Sequence, residues 1–159
     1  MYLYSKWLLS TNKFALLIYF IVLNETVGAI FPLMADYWGY PNAFKSFKTE
    51  TFTEDFILSV LIAPPLETLI AQFFPFLLLR RFTNKLLLIY ISSAFLFALG
   101  HTYSSWYMAA TFFIGLVFVG LFAVLVKKGK NIAFWGVTFV HAFSNLIAVL
   151  YDWGNAASH

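Results

Sequence analysis

Three short polar motifs lie inside apolar segments of this chain and contain the residue types that could do chemistry. Glu67 lies in LIAPPLETLIAQFF, His101 ends FLFALGH, and His141 and Asn145 lie in TFVHAFSNLIAV. A charged side chain at the centre of a membrane helix costs roughly 2.5–3.5 kcal/mol on insertion scales, so such residues usually face a bundle interior and mark function. A glutamate held there can act as a general base. His141 and Asn145, four residues apart, project from one helical face.

The composition indicates an integral membrane protein. Of the 159 residues, 62% are hydrophobic and 11% are charged, with a mean hydropathy of +0.81, whereas a soluble domain is typically about 25% charged. The net charge is +3, but the basic residues form short clusters between apolar runs, which is a topology signal rather than a nucleic-acid-binding stripe. We therefore expect the lipid bilayer, and no nucleic acid, as a partner. The absence of cysteine excludes disulfides and thiolate chemistry.

Five segments approach the roughly 20 apolar residues that a membrane-spanning helix needs. They are residues 14–34, 55–79, 86–105, 107–126 and 131–151. The sequence thus predicts an all-α, polytopic helical bundle of about five transmembrane helices, forming a single membrane domain over residues 1–159. The stretch from Asp36 to Asp55 is the one long predicted loop, and its mixed composition is typical of a segment lying along the membrane interface.

The distribution of basic residues predicts the orientation of the bundle. Eight basic residues fall on one side of the predicted helices and two, Lys45 and Lys48, on the other; the eight are Lys6, Lys13, Arg80, Arg81, Lys85, Lys127, Lys128 and Lys130. The positive-inside rule then puts the N-terminus in the cytoplasm and the C-terminus outside. In this topology the polar motifs of three separate helices share the middle-to-outer half of the bilayer, which favours one convergent site.

The three motifs resemble, in order and spacing, those of the CPBP family of intramembrane proteases, which includes the CAAX prenyl endopeptidases and the bacterial Abi proteins. That family carries EExxxR, FxxxH and HxxxN (or HxxxD) on successive core helices. The second and third motifs match fully here and the first keeps its leading Glu; the residues are Glu67-Thr68-Leu-Ile-Ala-Gln72, Phe97-Ala-Leu-Gly-His101 and His141-Ala-Phe-Ser-Asn145. The resemblance covers roughly residues 55–150, the expected protease-like core.

The first motif departs from the family pattern in two linked positions. The family's second Glu is Thr68 here and its Arg is Gln72, at the i, i+4 spacing where an ion pair would form across one helical turn. A lone buried charge would be costly, so the loss of both charges indicates substitution of a supporting pair rather than decay of the site. The neutral Thr68 and Gln72 can still hydrogen-bond to each other, and Phe97, the first residue of the second motif, is expected to support the site.

The resemblance implies a glutamate-type endopeptidase that cleaves a membrane-associated or lipidated protein or peptide by activated-water attack. Glu67 would be the general base, His101 would help to bind and orient the water, and His141 and Asn145 would donate hydrogen bonds to the oxyanion. The predicted orientation opens such a site toward the outside, so a secreted, lipidated or membrane-anchored substrate is expected rather than a cytosolic one.

Three other interpretations stay open at this point. Two histidines and a glutamate also form a zinc ligand set, but the donors come from three helices without an HExxH motif, so we predict no metal and no other cofactor. A catalytically silent membrane scaffold or binding partner would be consistent with the changes at Thr68 and Gln72. A small proton-linked carrier is less favoured, because the chain has no internal repeat. Glu25, in the first apolar segment, either packs against the bundle or lines a substrate site.

Overall fold

The computed structural model describes residues 10–44 and 50–156, and all regular structure within these ranges is helical. The five helices are α1 (Lys13–Tyr37), α2 (Phe52–Phe82), α3 (Leu86–Leu99), α4 (Ser105–Leu125) and α5 (Lys130–Ala156). Among the described residues, all of these helices except α3 are long and apolar enough to cross a membrane. The prediction of an all-α membrane bundle of five helices is confirmed, and the protein is an integral membrane protein.

The third helix is shorter than the sequence predicted. It spans 14 residues and ends at Leu99, so His101 lies in the turn beyond the helix rather than at its end. At about 1.5 Å per residue, α3 is about 20 Å long, whereas the hydrocarbon core is about 30 Å thick. The turn after α3 therefore lies at membrane depth. Its backbone is held there by Ser104, whose hydroxyl donates to Ala43 O (2.6 Å) and accepts from Tyr107 N (3.0 Å).

Helix α4 lies at the centre of the bundle and packs against α1, α3 and α5. Its buried side chains, including Phe118 and Phe122, form much of the apolar core. Gly115 allows α4 to approach α3 closely, since a Cβ built there would lie 2.9 Å from Ala94 Cα. Small residues at helix contacts permit such backbone approach in membranes. The outer surface is apolar as a bilayer requires, with side chains such as Leu33 mostly exposed.

Helix α2 is continuous through Pro64, with π-helical stretches over Phe56–Ile62 and Thr68–Phe73. In the first stretch Ala63 N–H donates to the carbonyl five residues earlier, that of Leu58. The same register would pair Ser59 O with residue 64, but proline has no N–H to donate. Asn145 Nδ2 on α5 donates to Ser59 O instead (2.7 Å). A carbonyl freed by proline at membrane depth is thus satisfied by a neighbouring helix, as the low-dielectric environment demands.

Pro75 also removes a backbone N–H donor from α2, further along the same helix. An α-helical register would pair Ala71 O with residue 75, which again has no N–H. The hydroxyl of Ser93 on α3 donates to Ala71 O. Polar side chains of α5 and α3 thus donate to α2 carbonyls that lie close to two of its three prolines, Pro64, Pro65 and Pro75.

The basic residues of the described chain gather at one end of the bundle, which we call the basic end: Lys13, Arg80, Arg81, Lys85, Lys127, Lys128 and Lys130. There Lys128 Nζ donates to Thr11 O at the start of α1 (2.7 Å). At the opposite end Trp153 Nε1 on α5 donates to Asp55 Oδ2 at the start of α2 (2.9 Å). Lys6, Lys45 and Lys48, which also entered the orientation prediction, lie outside the described residues. The orientation itself stays a prediction.

Candidate active site

The helix lengths bring the three motifs to one level in the bundle. Glu67 lies fifteen residues before the end of α2, His101 fifteen residues after the start of α3, and His141 eleven residues after the start of α5. At a rise of about 1.5 Å per residue, all three lie about 17–22 Å from the basic end. His101, in the turn beyond α3, therefore lies at the level of the middle of α2.

Both histidines face the same oxygen of Glu67. Glu67 Oε2 lies 3.6 Å from His101 Nε2 and 3.7 Å from His141 Nε2. These contacts are longer than hydrogen bonds between nitrogen and oxygen, and Oε2 is buried without a hydrogen-bond partner in the described structure. The Glu67 side chain as a whole is 33% exposed and that of His141 only 5%. The carboxylate therefore lies at the boundary between the buried histidine and an open space.

The hydrogen bond of His101 fixes its chemical role. Its Nδ1 lies 2.8 Å from Phe97 O, and because a carbonyl oxygen can only accept, Nδ1 carries the hydrogen. A neutral imidazole has one N–H and one acceptor nitrogen, so neutral His101 presents Nε2 to Glu67 as an acceptor. Two acceptors 3.6 Å apart form a place where one water can donate both of its hydrogens, since a water can reach each at hydrogen-bond distance.

Aromatic side chains hold both imidazoles in place. Phe97 is buried, and its ring centroid lies 4.7 Å from that of His101 and 5.4 Å from that of His141. Phe118 on α4 packs against His141 at 4.9 Å, and Tyr107 stacks on His101 at 6.0 Å. Phe97 thus contacts both candidate catalytic histidines, as its supporting role in the motif implies.

Asn145 reaches the same space from α5 but also has a structural partner. It lines a cavity together with Glu67 and His101, while its Nδ2 donates to Ser59 O (2.7 Å). An amide NH₂ group has two hydrogens, so one stays free for another acceptor. The bond to Ser59 O was not predicted from the sequence.

Thr68 and Gln72 do not hydrogen-bond to each other in the described structure, although a neutral pair at this spacing could. Both side chains are fully buried, and Thr68 Oγ1 and both amide atoms of Gln72 have no hydrogen-bond partner in the described structure. The physical reason is the π-helical stretch Thr68–Phe73, in which bonds run from i to i+5. Because a π-helical turn contains more residues than an α-helical turn, Thr68 and Gln72 do not lie one above the other as residues i and i+4 do in an α-helix.

Two cavities meet at the site. The larger, about 600 Å³, lies between α1, α4 and α5, has a mainly apolar lining, and reaches His101, His141 and Asn145. The smaller, about 200 Å³, is more polar; it reaches Glu67, His101 and Asn145 and continues to Asp55 and Asp152 near the end opposite the basic end. The larger volume is in the range of small-molecule and peptide side-chain sites. His101 and Asn145 line both cavities, so these candidate catalytic residues lie where an apolar space and a polar space join.

The structure also shows an interhelical contact that the sequence did not predict. Asn24 on α1 is buried and its Nδ2 donates to Ser144 Oγ on α5 (2.8 Å). Ser144 directly precedes Asn145, so this bond connects α1 to the turn of α5 that carries the third motif. The sequence indicates such a contact only through the presence of a polar residue, Asn24, in an apolar helix, and this does not identify its partner.

Over residues 10–44 and 50–156, no group of three or more His, Cys, Asp or Glu side chains is arranged to hold a metal ion. The absence of a metal from the reaction stays a prediction, which a chelator tests directly.

One comparison with known proteins identifies the family of the chain. The family model described as "Type II CAAX prenyl endopeptidase Rce1-like" matches residues 49–147, more than half of the chain. The chain belongs to this Rce1-like family of membrane proteases, and the resemblance noted from its motifs is confirmed. Neither the curated proteins nor the solved structures contain a match.

Proposed function

We propose that this protein is a glutamate-dependent intramembrane endopeptidase that hydrolyses a peptide bond of a membrane-associated substrate with an activated water. One observation carries the proposal. Glu67 Oε2 and His101 Nε2 lie 3.6 Å apart, and the bond from His101 Nδ1 to Phe97 O leaves that Nε2 an acceptor. A water bound between them has its hydrogens directed to Glu67 and His101 and a lone pair free to attack a carbonyl carbon.

In the proposed reaction the water oxygen forms a bond to the scissile carbonyl carbon while Glu67 accepts a water proton. The carbonyl oxygen becomes an oxyanion, which accepts hydrogen bonds from His141 Nε2–H and from the free amide hydrogen of Asn145. Donors aligned in a water-poor site stabilise such an oxyanion by several kcal/mol. The C–N bond then breaks, and Glu67 returns its proton to the leaving amine, so the carboxylate is regenerated.

The two cavities support separate routes to the reacting groups. The larger, mainly apolar cavity suits an apolar peptide segment or a lipid-modified residue, and the smaller polar cavity suits the water. The positive-inside distribution favours an arrangement in which the basic end faces the cytoplasm, so the substrate would be secreted, lipidated or membrane-anchored on the outer side. Because the native chain has no cysteine, single cysteines test this. Glu50→Cys, at an exposed position just before α2 at the end opposite the basic end, should react with an impermeant thiol reagent from outside, and Asn84→Cys should not; the reverse pattern would overturn the orientation.

The proposal is tested by incubating purified protein in detergent with a peptide library derived from membrane proteins. Wild type, Glu67→Gln and His141→Ala are compared, each with and without a metal chelator. Cleavage by wild type that is lost in both variants and unaffected by the chelator is expected. Cleavage that survives in Glu67→Gln would contradict the mechanism, and chelator-sensitive cleavage would favour a metal-dependent reaction. Absence of cleavage in all samples would favour a membrane scaffold, the interpretation motivated by Thr68 and Gln72.

A further inference from the structure

Helix α1 brings a second carboxylate to the larger cavity. Glu25 lines this cavity together with His101, His141 and Asn145, although it lies outside the region that the family model matches. The neighbouring Asn24 is bonded to Ser144, which directly precedes Asn145. Glu25 is therefore held at the level of the candidate catalytic residues, on the opposite wall of the same space.

The Glu25 carboxylate has no counter-charge in the described structure. Its Oε1 is buried and without a hydrogen-bond partner, and none of the described residues lining the cavity is Lys or Arg. The basic residues of the described helices lie at the basic end. The Glu25 side chain as a whole is only part-buried, but a carboxylate oxygen can only accept hydrogen bonds, and burial of Oε1 without a donor is costly.

The cavity wall beside Glu25 has room for a long side chain. Gly28 lies one turn further along α1, at i+3, on the same helical face and lines the same cavity. A Cβ built at Gly28 would meet nothing within 4 Å. The space next to the carboxylate is thus open toward the cavity, and the rest of the lining is mainly apolar, which suits the hydrocarbon stem of a lysine or arginine.

We propose that Glu25 is a specificity-determining residue that binds a cationic side chain, Lys or Arg, of the peptide substrate close to its scissile bond. This inference rests on the proposed peptidase function and names the substrate class of that site. The ammonium or guanidinium group would supply the donors that Oε1 lacks, while its aliphatic stem packs on the apolar wall. The pair would form in a region shielded from water, where an ion pair is screened little by salt.

The test compares matched peptides that differ at one position near the cleaved bond, with Lys, norleucine or Glu. Binding is measured on the non-cleaving Glu67→Gln protein and cleavage on the protein with Glu67 intact, so that the two readouts are independent. With Glu25 present, the Lys peptide should bind at least about 10-fold more tightly than the norleucine peptide, the range of a charge-assisted hydrogen bond, and its kcat/KM should be higher by a similar factor.

Substitution of Glu25 should change the preference for the Lys peptide over the norleucine peptide, and not only the rate of cleavage. Glu25→Gln should reduce the Lys-to-norleucine ratio to about one, and Glu25→Lys should invert it in favour of the Glu peptide. Glu54→Gln, which neutralises an exposed carboxylate outside both cavities, should leave the ratio unchanged. A Lys preference that persists in Glu25→Gln, or no preference with Glu25 present, would overturn the inference. Failure of the peptidase proposal would appear separately, as absent cleavage with the binding preference retained or as cleavage that survives Glu67→Gln.

Discussion

The bond from Asn145 to Ser59 O makes a quantitative prediction, because it serves a carbonyl that Pro64 has freed. Asn145→Ala leaves Ser59 O without a donor inside the bundle. A buried unsatisfied acceptor costs about 1–3 kcal/mol, whereas measured interhelical hydrogen bonds in membranes average about 0.6 and reach about 1.7 kcal/mol. At 2.7 Å in a part-buried position, this bond falls in the upper part of the membrane range, so we expect a destabilisation of about 1–2 kcal/mol.

The same reasoning predicts that removal of the proline rescues the loss. Pro64→Ala places an N–H at residue 64, which can pair with Ser59 O in the register that Ala63 N–H already uses with Leu58 O. In the Pro64→Ala background, Asn145→Ala should therefore cost less by about 1 kcal/mol. The assay compares wild type, Pro64→Ala, Asn145→Ala and the double variant by equilibrium unfolding in mixed micelles. Circular dichroism monitors the loss of helix as the fraction of denaturing detergent is increased.

Pro75→Ala provides the matched control. It also removes a proline from α2, but the carbonyl near it, Ala71 O, accepts from Ser93 and not from Asn145. The cost of Asn145→Ala should thus be the same in the Pro75→Ala background as in wild type. Equal costs in all three backgrounds, within the roughly 0.3–0.5 kcal/mol expected of independent sites, would refute the link between Asn145 and the freed carbonyl.

Stability and catalysis should separate in the rescued protein. If Asn145 also donates to the oxyanion, Pro64→Ala/Asn145→Ala should be stable yet cleave about 100–1,000-fold more slowly than Pro64→Ala alone, the loss typical of one oxyanion donor. Equal cleavage rates would assign Asn145 a structural role only.

Two further substitutions test the packing that positions the site. Gly115→Ala places a Cβ 2.9 Å from Ala94 Cα and should destabilise the bundle by about 1–3 kcal/mol through overpacking. Gly154→Ala is the control, because a Cβ at that position meets nothing within 4 Å and should not destabilise the bundle. A thermal shift measurement on both variants and on wild type tests the difference. Ser93→Ala removes the donor to Ala71 O and should cost about 1 kcal/mol in the micelle unfolding assay, and an unchanged unfolding midpoint would show that water replaces the hydroxyl.

The convergence of the motifs was predictable because it depends on helix lengths and on charge. Apolar run lengths and the basic clusters define five helices and their directions, and these directions bring Glu67, His101 and His141 to a common depth. The end of α3 was placed too late, at residue 105, because a spanning helix was expected to need roughly 20 residues, although Gly100, His101, Thr102 and Ser104 follow Leu99 and are typical of a turn.

The details of α2 could not be predicted from periodicity. Reasoning at α-helical spacing paired Thr68 with Gln72, and the π-helical register separates them. The same register decides that Pro64 frees Ser59 O in particular, and hence where Asn145 bonds. A hydrophobic pattern reports which face of a helix is buried, but a one-residue widening of a turn leaves that pattern nearly unchanged. The partner of Asn24 was unpredictable for another reason, since it depends on how α1 packs against α5.

The most direct test of the proposed mechanism measures binding and cleavage of one substrate peptide side by side for wild type and Glu67→Gln. A Gln keeps the size of the side chain but cannot accept a proton from the water. We predict that Glu67→Gln binds the peptide as wild type does and cleaves it at least about 100-fold more slowly, since general-base catalysis contributes about 100–10,000-fold. Cleavage by Glu67→Gln at a rate near that of wild type would contradict the role of Glu67 as the base.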